Sequence, residues 1–309
     1  MRWRMRPYAP AADREWVTEL WAAALPPSWP PLPAGIAILR DGLVAEAGPD
    51  PVGLAAVDMA GSIPLILVHP AHQRRGIGTG LLAGALDRLR AGGATEVTAA
   101  SGGDGYIWPG VPDDLPAGVR FFASRGWIRG HDTLDLVADL ARYRPPAGAG
   151  LRAASAGITL ATAAGADAAS VLAFEAAHFP SWVHWFGAGD RGVLIARDGS
   201  GSIAGTLLFE GPGADTVFAP MLGPAAGVIG CVGVAPDWQG RGIGTALVTR
   251  ASQLLGQAGT RTCHIGWTVR ESFYRRAGYQ TWRRYAMFSH PARRRADLAQ
   301  DTGTDEAAR

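Results

Sequence analysis

The chain has 309 residues, 48% of them apolar, enough for two domains with buried cores and too many for wholesale disorder. A formal net charge of +2 gives no field for gripping nucleic acid or an anionic membrane surface, and all 29 basic residues are arginine. Without lysine there is no Walker phosphate lysine and no Schiff base, which excludes pyridoxal phosphate enzymes.

In chain order, "MRWRMRPY" (1–8) predicts an opening strand and "AADREWVTELWAAAL" (11–25) a first helix. "GIAILR" (35–40) and "VGLAAVDMA" (52–60) predict paired strands ahead of a glycine-punctuated phrase, "HQRRGIGTGLL" (72–82). The same phrase returns as "WQGRGIGTALV" (238–248), so the chain carries an internal repeat. Residues 67–98 lie on 233–264 without a gap: Val68/Val234, Pro70/Pro236, Gln73/Gln239, Arg75/Arg241, then Gly-Ile-Gly-Thr together. Leu81/Leu247, Ala85/Ala251, Leu89/Leu255 and Gly93/Gly259 follow at steps of four, one face of an amphipathic helix. Each copy therefore reads as strand, glycine loop, helix and glycine stop. Further on, "VRFFASRGW" (119–127) predicts a short helix ending at a glycine cap, with more strands behind it.

"RPPAGAG" (144–150) is too rich in Pro and Gly for a regular element and predicts the boundary between halves. The second half repeats the order: strand "GITLATA", helix "ADAASVLAFEAAHF", strands "GVLIARD" and "SIAGTLLFE", the glycine loop, and the capped helix "ESFYRRAGY". Gly76 to Gly126 spans 50 positions and Gly242 to Gly278 spans 36, so copy one carries 14 extra residues around "GYIWPGVPDDLPAG". The expected domains are 1–145 and 151–290, with 291–309 a mobile tail. The expected class is α/β, an α+β mixed sheet in each half.

A strand entering a glycine loop at a helix N-terminus aims several free N–H groups at one point, which suits a phosphate or pyrophosphate. A dinucleotide loop is ruled out because Leu81 and Leu247 stand where its third glycine belongs. What remains is Gln-x-x-Gly-x-Gly, twice. In this the chain resembles the GCN5-related N-acetyltransferase (GNAT) superfamily, as a tandem of two such domains over 1–290.

The resemblance implies that the loops cradle the pyrophosphate of acetyl-CoA. In copy one that is Gln73, Arg74, Arg75, Gly76, Ile77, Gly78 and Thr79, after Val68. In copy two it is Gln239, Gly240, Arg241, Gly242, Ile243, Gly244 and Thr245, with Val232 and Val234 of the preceding strand holding the thioester arm through their main chain. It also implies a proton donor for the leaving thiolate four residues before the capping glycine. Copy two has Tyr274 there and copy one has Phe122, which cannot donate. The implied activity is N-acetylation of a small-molecule amine in the C-terminal domain, beside a first domain that binds CoA and is catalytically weak or inactive. The alternative is a non-catalytic CoA-binding or partner-binding pseudo-acetyltransferase.

Copy two departs from the family in two ways: Trp267 replaces a frequent asparagine, and the strand before the loop holds no carboxylate to act as base. Glu175, His178, Glu210 and His264 remain as candidates for that role, although His264 reads first as a satisfied core histidine. Phe179, Trp182, Trp185 and Phe186 suit an apolar or sugar-like acceptor, or plain packing. Cys231 and Cys263 form no disulfide framework and are read as small hydrophobes rather than acyl carriers. His69 and His72 lack further ligands, so no metal is expected. No apolar h-region or membrane-length run is present, and a cytoplasmic monomer or homodimer is expected, without nucleic-acid or membrane partners.

Overall fold

The computed structural model describes residues 2–32, 39–101, 108–187, 191–214 and 216–292. The first elements are β1 (Arg4–Pro7), α1 (Pro10–Ala24), β2 (Gly42–Ala47), β3 (Asp50–Asp58), β4 (Ser62–Val68), α2 (Ile77–Ala91), β5 (Glu96–Ala99), β6 (Val111–Pro112), α3 (Pro116–Ala123) and β7 (Ile128–Asp139). There follow α4 (Leu151–Ser155), β8 (Thr159–Thr162), α5 (Ala168–His178), α6 (Val183–Phe186), β9 (Gly192–Arg197) and β10 (Ile203–Glu210). The last are α7 (Ala219–Leu222), β11 (Ala226–Val234), α8 (Ile243–Gln257), β12 (Thr262–Thr268), α9 (Glu271–Arg276) and β13 (Gln280–Pro291).

The class is mixed α/β, as expected, and two compact units result: Met1–Thr133 with Arg284–Arg309, and Leu134–Arg283. This partition differs from the expected 1–145 and 151–290. Residues 128–133 of β7 belong to the first unit and 134–139 to the second; β13 divides likewise at 283/284. In the first unit β13 pairs with β5, Phe288 facing Ala99. In the second, β7 pairs antiparallel with β12, Val137 facing His264. The copies align so well along the chain that the repeat assigns each its own last strand, yet sequence alternation does not name a strand's partner. Residues 144–150, though irregular, lie inside the second unit.

The expected strand at 35–40 falls mostly on 33–38, outside the described residues; the partner of β3 is β2. In both long helices the four-residue stripe is the buried face. Leu81, Ala85 and Leu89 are each 0% exposed, and so are Leu247 and Ala251, with Leu255 at 1%. A leucine buried so completely stabilises by about 1.5–3 kcal/mol. These stripes press α2 on β2, β3 and β4, and α8 on β9, β10 and β11, which fixes where each glycine loop opens.

Candidate active site

The loops have the same backbone in both copies. Arg74 and Gly76 have φ of 62° and 82°; Gly240 and Gly242 have 76° and 83°. Alternating left-handed residues turn successive N–H groups to one side, a concave nest for an anion at the start of a 15-residue helix. Glutamine braces each loop: Gln73 Nε2 donates to the Val68 carbonyl and Gln239 Nε2 to the Val234 carbonyl, both at 3.1 Å. The Val234 oxygen, expected to meet the thioester arm, is thus held by the loop itself. At Gly78 and Gly244 a Cβ would stand 3.3 and 3.1 Å from the rings of Phe121 and Phe273, which leaves little room for a side chain. Arg241 stacks on Trp238. Arg152 of α4 donates to the Gly240 carbonyl at 2.5 Å, a contact the sequence did not suggest.

Beside each loop two parallel strands part. In the second unit β11 and β12 pair at Ala226/Thr262, Gly227/Cys263 and Val228/His264 only, so residues 229–234 are open on that side. On the other side Thr206 faces Gly233 and Leu208 faces Gly230, leaving Leu207 alone across from Cys231 and Val232. This bulge, with Cys231 at φ 47°, takes the main chain around Val232 out of the regular ladder. A thioester arm needs unspent main-chain groups along such a cleft, and the second unit has them.

In the first unit β4 and β5 pair at Ser62/Thr98 and Ile63/Ala99 and then part. Here the bulge falls two residues earlier, Val57 standing alone across from Ile63 and Pro64, and Leu65 and Ile66 pair regularly with Ala56 and Ala55. The residue in line with Gly230 is Pro64, which has no N–H, and its carbonyl accepts from Trp108 Nε1 at 3.3 Å. Trp108 stacks on Trp21 at 5.6 Å and meets Trp29 edge-on at 5.2 Å, so the extra residues of copy one fill the cleft's flank with indole. The rest of the cleft is apolar, from Leu25, Ile63 to Leu67, Leu115 and Phe122.

Tyr274 stands on α9 just before Gly278, whose φ is 92°; Phe122 has the equivalent place before Gly126, at 77°. Tyr274 is 8% exposed, packs edge-on to Phe273 and Tyr279, and no described residue hydrogen-bonds its hydroxyl. Burial, and then the neighbouring Cys231, push its phenol well above the ordinary range, so it stays protonated. Tyr143 braces this helix, donating its hydroxyl to the Ala277 carbonyl at 2.7 Å.

The four candidate bases separate. His178 is exposed, and Glu210 pairs with Arg191 at 3.4 Å. Glu175 is fully buried; its Oε1 accepts from Thr206 at 2.5 Å and its Oε2 has no partner among the described residues. Burial raises its carboxyl to about 7. His264 is 7% exposed and its Nε2 stands 3.4 Å from Oδ2 of Asp135, itself 1% exposed. Asp135 went unnoticed in the sequence, although one acid between Leu134 and Leu136 in an apolar strand is a signal.

Trp267 is 41% exposed at φ 49°, and its main-chain N–H donates to Asp135 Oδ1 at 3.0 Å. On the face of α5 and α6, Phe179 stacks on Trp182 at 4.8 Å and covers Gly233 of β11; Trp182, Trp185 and Phe186 are half-buried. Burial pushes both Cys231 and Cys263 up to about 12, which suits inert thiols. His69 Nδ1 caps the turn before its loop by accepting from Ala71, and the described residues contain no metal-holding cluster. No described helix is long and apolar enough to cross a membrane.

Two family models match the chain: the acetyltransferase (GNAT) family over residues 12–104 and the acetyltransferase (GNAT) domain over 189–281. Similar sequences include the mycothiol acetyltransferase of Cellulomonas flavigena, 30% identical over 268 residues, 78% of this chain and 71% of that protein. The mycothiol acetyltransferase of Clavibacter sepedonicus is 29% identical over 230 residues, 68% of this chain; the match spans 66% of that relative's length. Among solved structures, a GCN5-related glucosamine N-acetyltransferase region of a fungal GH3 β-N-acetylglucosaminidase superposes with a TM-score of 0.83 at 27% identity. It covers 94% of this chain and 38% of that one. A tandem GNAT protein from the clavulanic acid pathway gives 0.62 at 20%, covering 95% and 99%. With two family models in tandem, each on a nest loop beside a parted strand pair, the chain belongs to the GCN5-related N-acetyltransferase family, whose members generally use acetyl-CoA.

Proposed function

We propose that the second unit transfers an acetyl group from acetyl-CoA to the amine of a small, sugar-like molecule, and that the first unit is catalytically weak or inactive. One observation carries this reading. The nest loop, a bulge at Cys231 and Val232 and a protonated tyrosine meet in the second unit, whereas the first, whose bulge lies two residues earlier, has Trp108 on the Pro64 carbonyl and Phe122 in place of the tyrosine.

Gln239 to Thr245 would hold the pyrophosphate, and the main chain near Val232 the thioester arm. Tyr274 would protonate the departing thiolate. In the first unit Gln73 to Thr79 retain a phosphate nest below Val68, without a donor. The half-buried rings of Phe179, Trp182 and Trp185 suit the apolar faces of a sugar. Two relatives' names, mycothiol acetyltransferase and glucosamine N-acetyltransferase region, favour the same class.

The test is release of free CoA thiol from acetyl-CoA with glucosamine and with plain alkylamines, in wild type, Tyr274→Phe and Phe122→Tyr. Turnover in wild type, lost in Tyr274→Phe and indifferent to Phe122→Tyr, is the expected pattern. The second reading, a CoA-binding or partner-binding module without transfer, is favoured by the missing carboxylate on β11 and by Trp267. Saturable CoA binding without turnover on any amine would establish it.

A further inference from the structure

Val228 and His264 form the last rung before β11 and β12 part, so His264 stands at the fork of the cleft. Its neighbours Cys263 and Ile265 pack in the core with Leu247 and Ala251 of α8, so the imidazole faces the opposite side of the sheet. Leu136 belongs to that same core, so Asp135 shares the face of His264. A histidine that only filled space there would be served by apolar or neutral neighbours. Instead it lies against a carboxylate buried to 1%, a charge that costs several kcal/mol to bury unless paired.

We infer that His264, oriented by Asp135, takes the proton from the incoming amine, replacing the carboxylate that β11 lacks. The inference rests on the proposed transferase reading. Nε2 is sealed from solvent and stands 3.4 Å from Asp135 Oδ2, an ionic contact without a hydrogen bond, so the remaining exposure of the ring belongs to its other atoms. In the tautomer with its hydrogen on Nε2, the nitrogen nearest Asp135, Nδ1 holds the lone pair. An ammonium acceptor gives one proton to Nδ1, and Asp135 stabilises the imidazolium formed. The amine nitrogen then forms its bond to the thioester carbonyl carbon and the C–S bond breaks. The nitrogen's second proton balances the one Tyr274 gives the thiolate, and the imidazolium returns its proton to water. The sum is ammonium plus thioester giving amide, thiol and one proton.

Among the described residues, the groups facing His264 come from β7, β11, β13 and Phe218. β7 supplies Asp135, whose Oδ1 is occupied by the Trp267 N–H. Phe218 and Trp282 put ring centroids at 5.7 and 5.8 Å. Arg283 of β13 lies over both of those rings, so its charge is behind aromatic faces. Val228, the rung partner, brings no charge. Asp135 is therefore a positioning residue, acting through the imidazole.

The test is the pH profile of kcat/KM with acetyl-CoA and glucosamine in wild type, His264→Gln, Asp135→Asn and Glu175→Gln, with thermal midpoints confirming folding. His264→Gln is expected to lower the rate about 10²–10⁴-fold near neutrality, less at alkaline pH where the amine is already free. Asp135→Asn is expected to shift the acid limb to lower pH, an effect a structural role would not produce. An acid limb unchanged in His264→Gln, or abolished only in Glu175→Gln, overturns the inference. Imidazole NMR of the wild type and Asp135→Asn provides a reading that needs no acceptor. A His264 ring that stays neutral from about pH 5 to about pH 9, or one indifferent to Asp135→Asn, overturns the pair even if glucosamine is not a substrate. A ring that titrates and responds to Asp135, with glucosamine inert, leaves the pair standing and refutes the acceptor.

Discussion

Glu175→Gln should stabilise the protein at alkaline pH. Glu175 is fully buried, its Oε1 has the Thr206 hydroxyl and its Oε2 has nothing. Its carboxyl titrates at about 7 when folded against an ordinary 4.5, because burial outweighs the one hydrogen bond. The folded state binds the proton more tightly. The sign follows: stability is fully present below the ordinary value and is lost as pH rises through the folded one. That difference corresponds to on the order of 3 kcal/mol at most. Glutamine keeps an oxygen for Thr206 and never ionises, so it escapes the penalty. Urea titrations at pH 4 and pH 8.5 should give nearly equal stabilities for the two proteins in acid, with the variant ahead by about 2–3 kcal/mol in base. A pH-independent difference, or a variant less stable at pH 8.5, would refute the buried-acid argument.

Tyr274→Phe should lower kcat about 10²–10⁴-fold with little change in acetyl-CoA affinity, since the phosphates would be held by the loop's backbone; equal kcat under rate-limiting chemistry removes the phenol from the mechanism. Gly242→Val should abolish CoA binding to the second loop by calorimetry, because its φ is 83° and a Cβ would stand 3.0 Å from Arg152 Cβ. Trp108→Ala should cost about 3–5 kcal/mol in denaturant unfolding by emptying the space between Trp21 and Trp29; a loss under about 1 kcal/mol would show that these rings do not pack as a unit.

Much of the site was legible because its signals are local. A glycine loop is written in consecutive residues, a helix face in steps of four, and Tyr274 by its offset from a capping glycine. Glu175 and His264 were visible as candidates, but only burial separates them from His178 and Glu210. What stayed hidden depends on partners far along the chain. Asp135 belongs by sequence to the first copy and by packing to the second unit, opposite His264. Pro64 reads as an ordinary strand residue until Trp108 is found on its carbonyl. Arg152 lies between the predicted linker and the predicted strand of the second half, where no motif marks it, yet it touches the second loop.

The division of the chain carries the last expectation. A cut at 150/151 follows the sequence repeat but not the folded units. The downstream piece would lack residues 134–139, the antiparallel partner of β12, and with them Asp135 and the Tyr143 bond to the helix of Tyr274. The upstream piece would lack 284–292, including Phe288, which pairs with β5 and stacks on Phe122. Each piece would expose a strand edge that natively is paired, an aggregation hazard. Residues 144–150 are nevertheless largely exposed, so protease should nick there. The nicked chain should elute as one species in native gel filtration and as two in denaturant, because each unit contains strands from both pieces. Residues 151–309 expressed alone should lack cooperative unfolding, whereas coexpression with 1–150 should restore it. Two nicked pieces that part without denaturant, each folded by circular dichroism, would overturn the strand exchange.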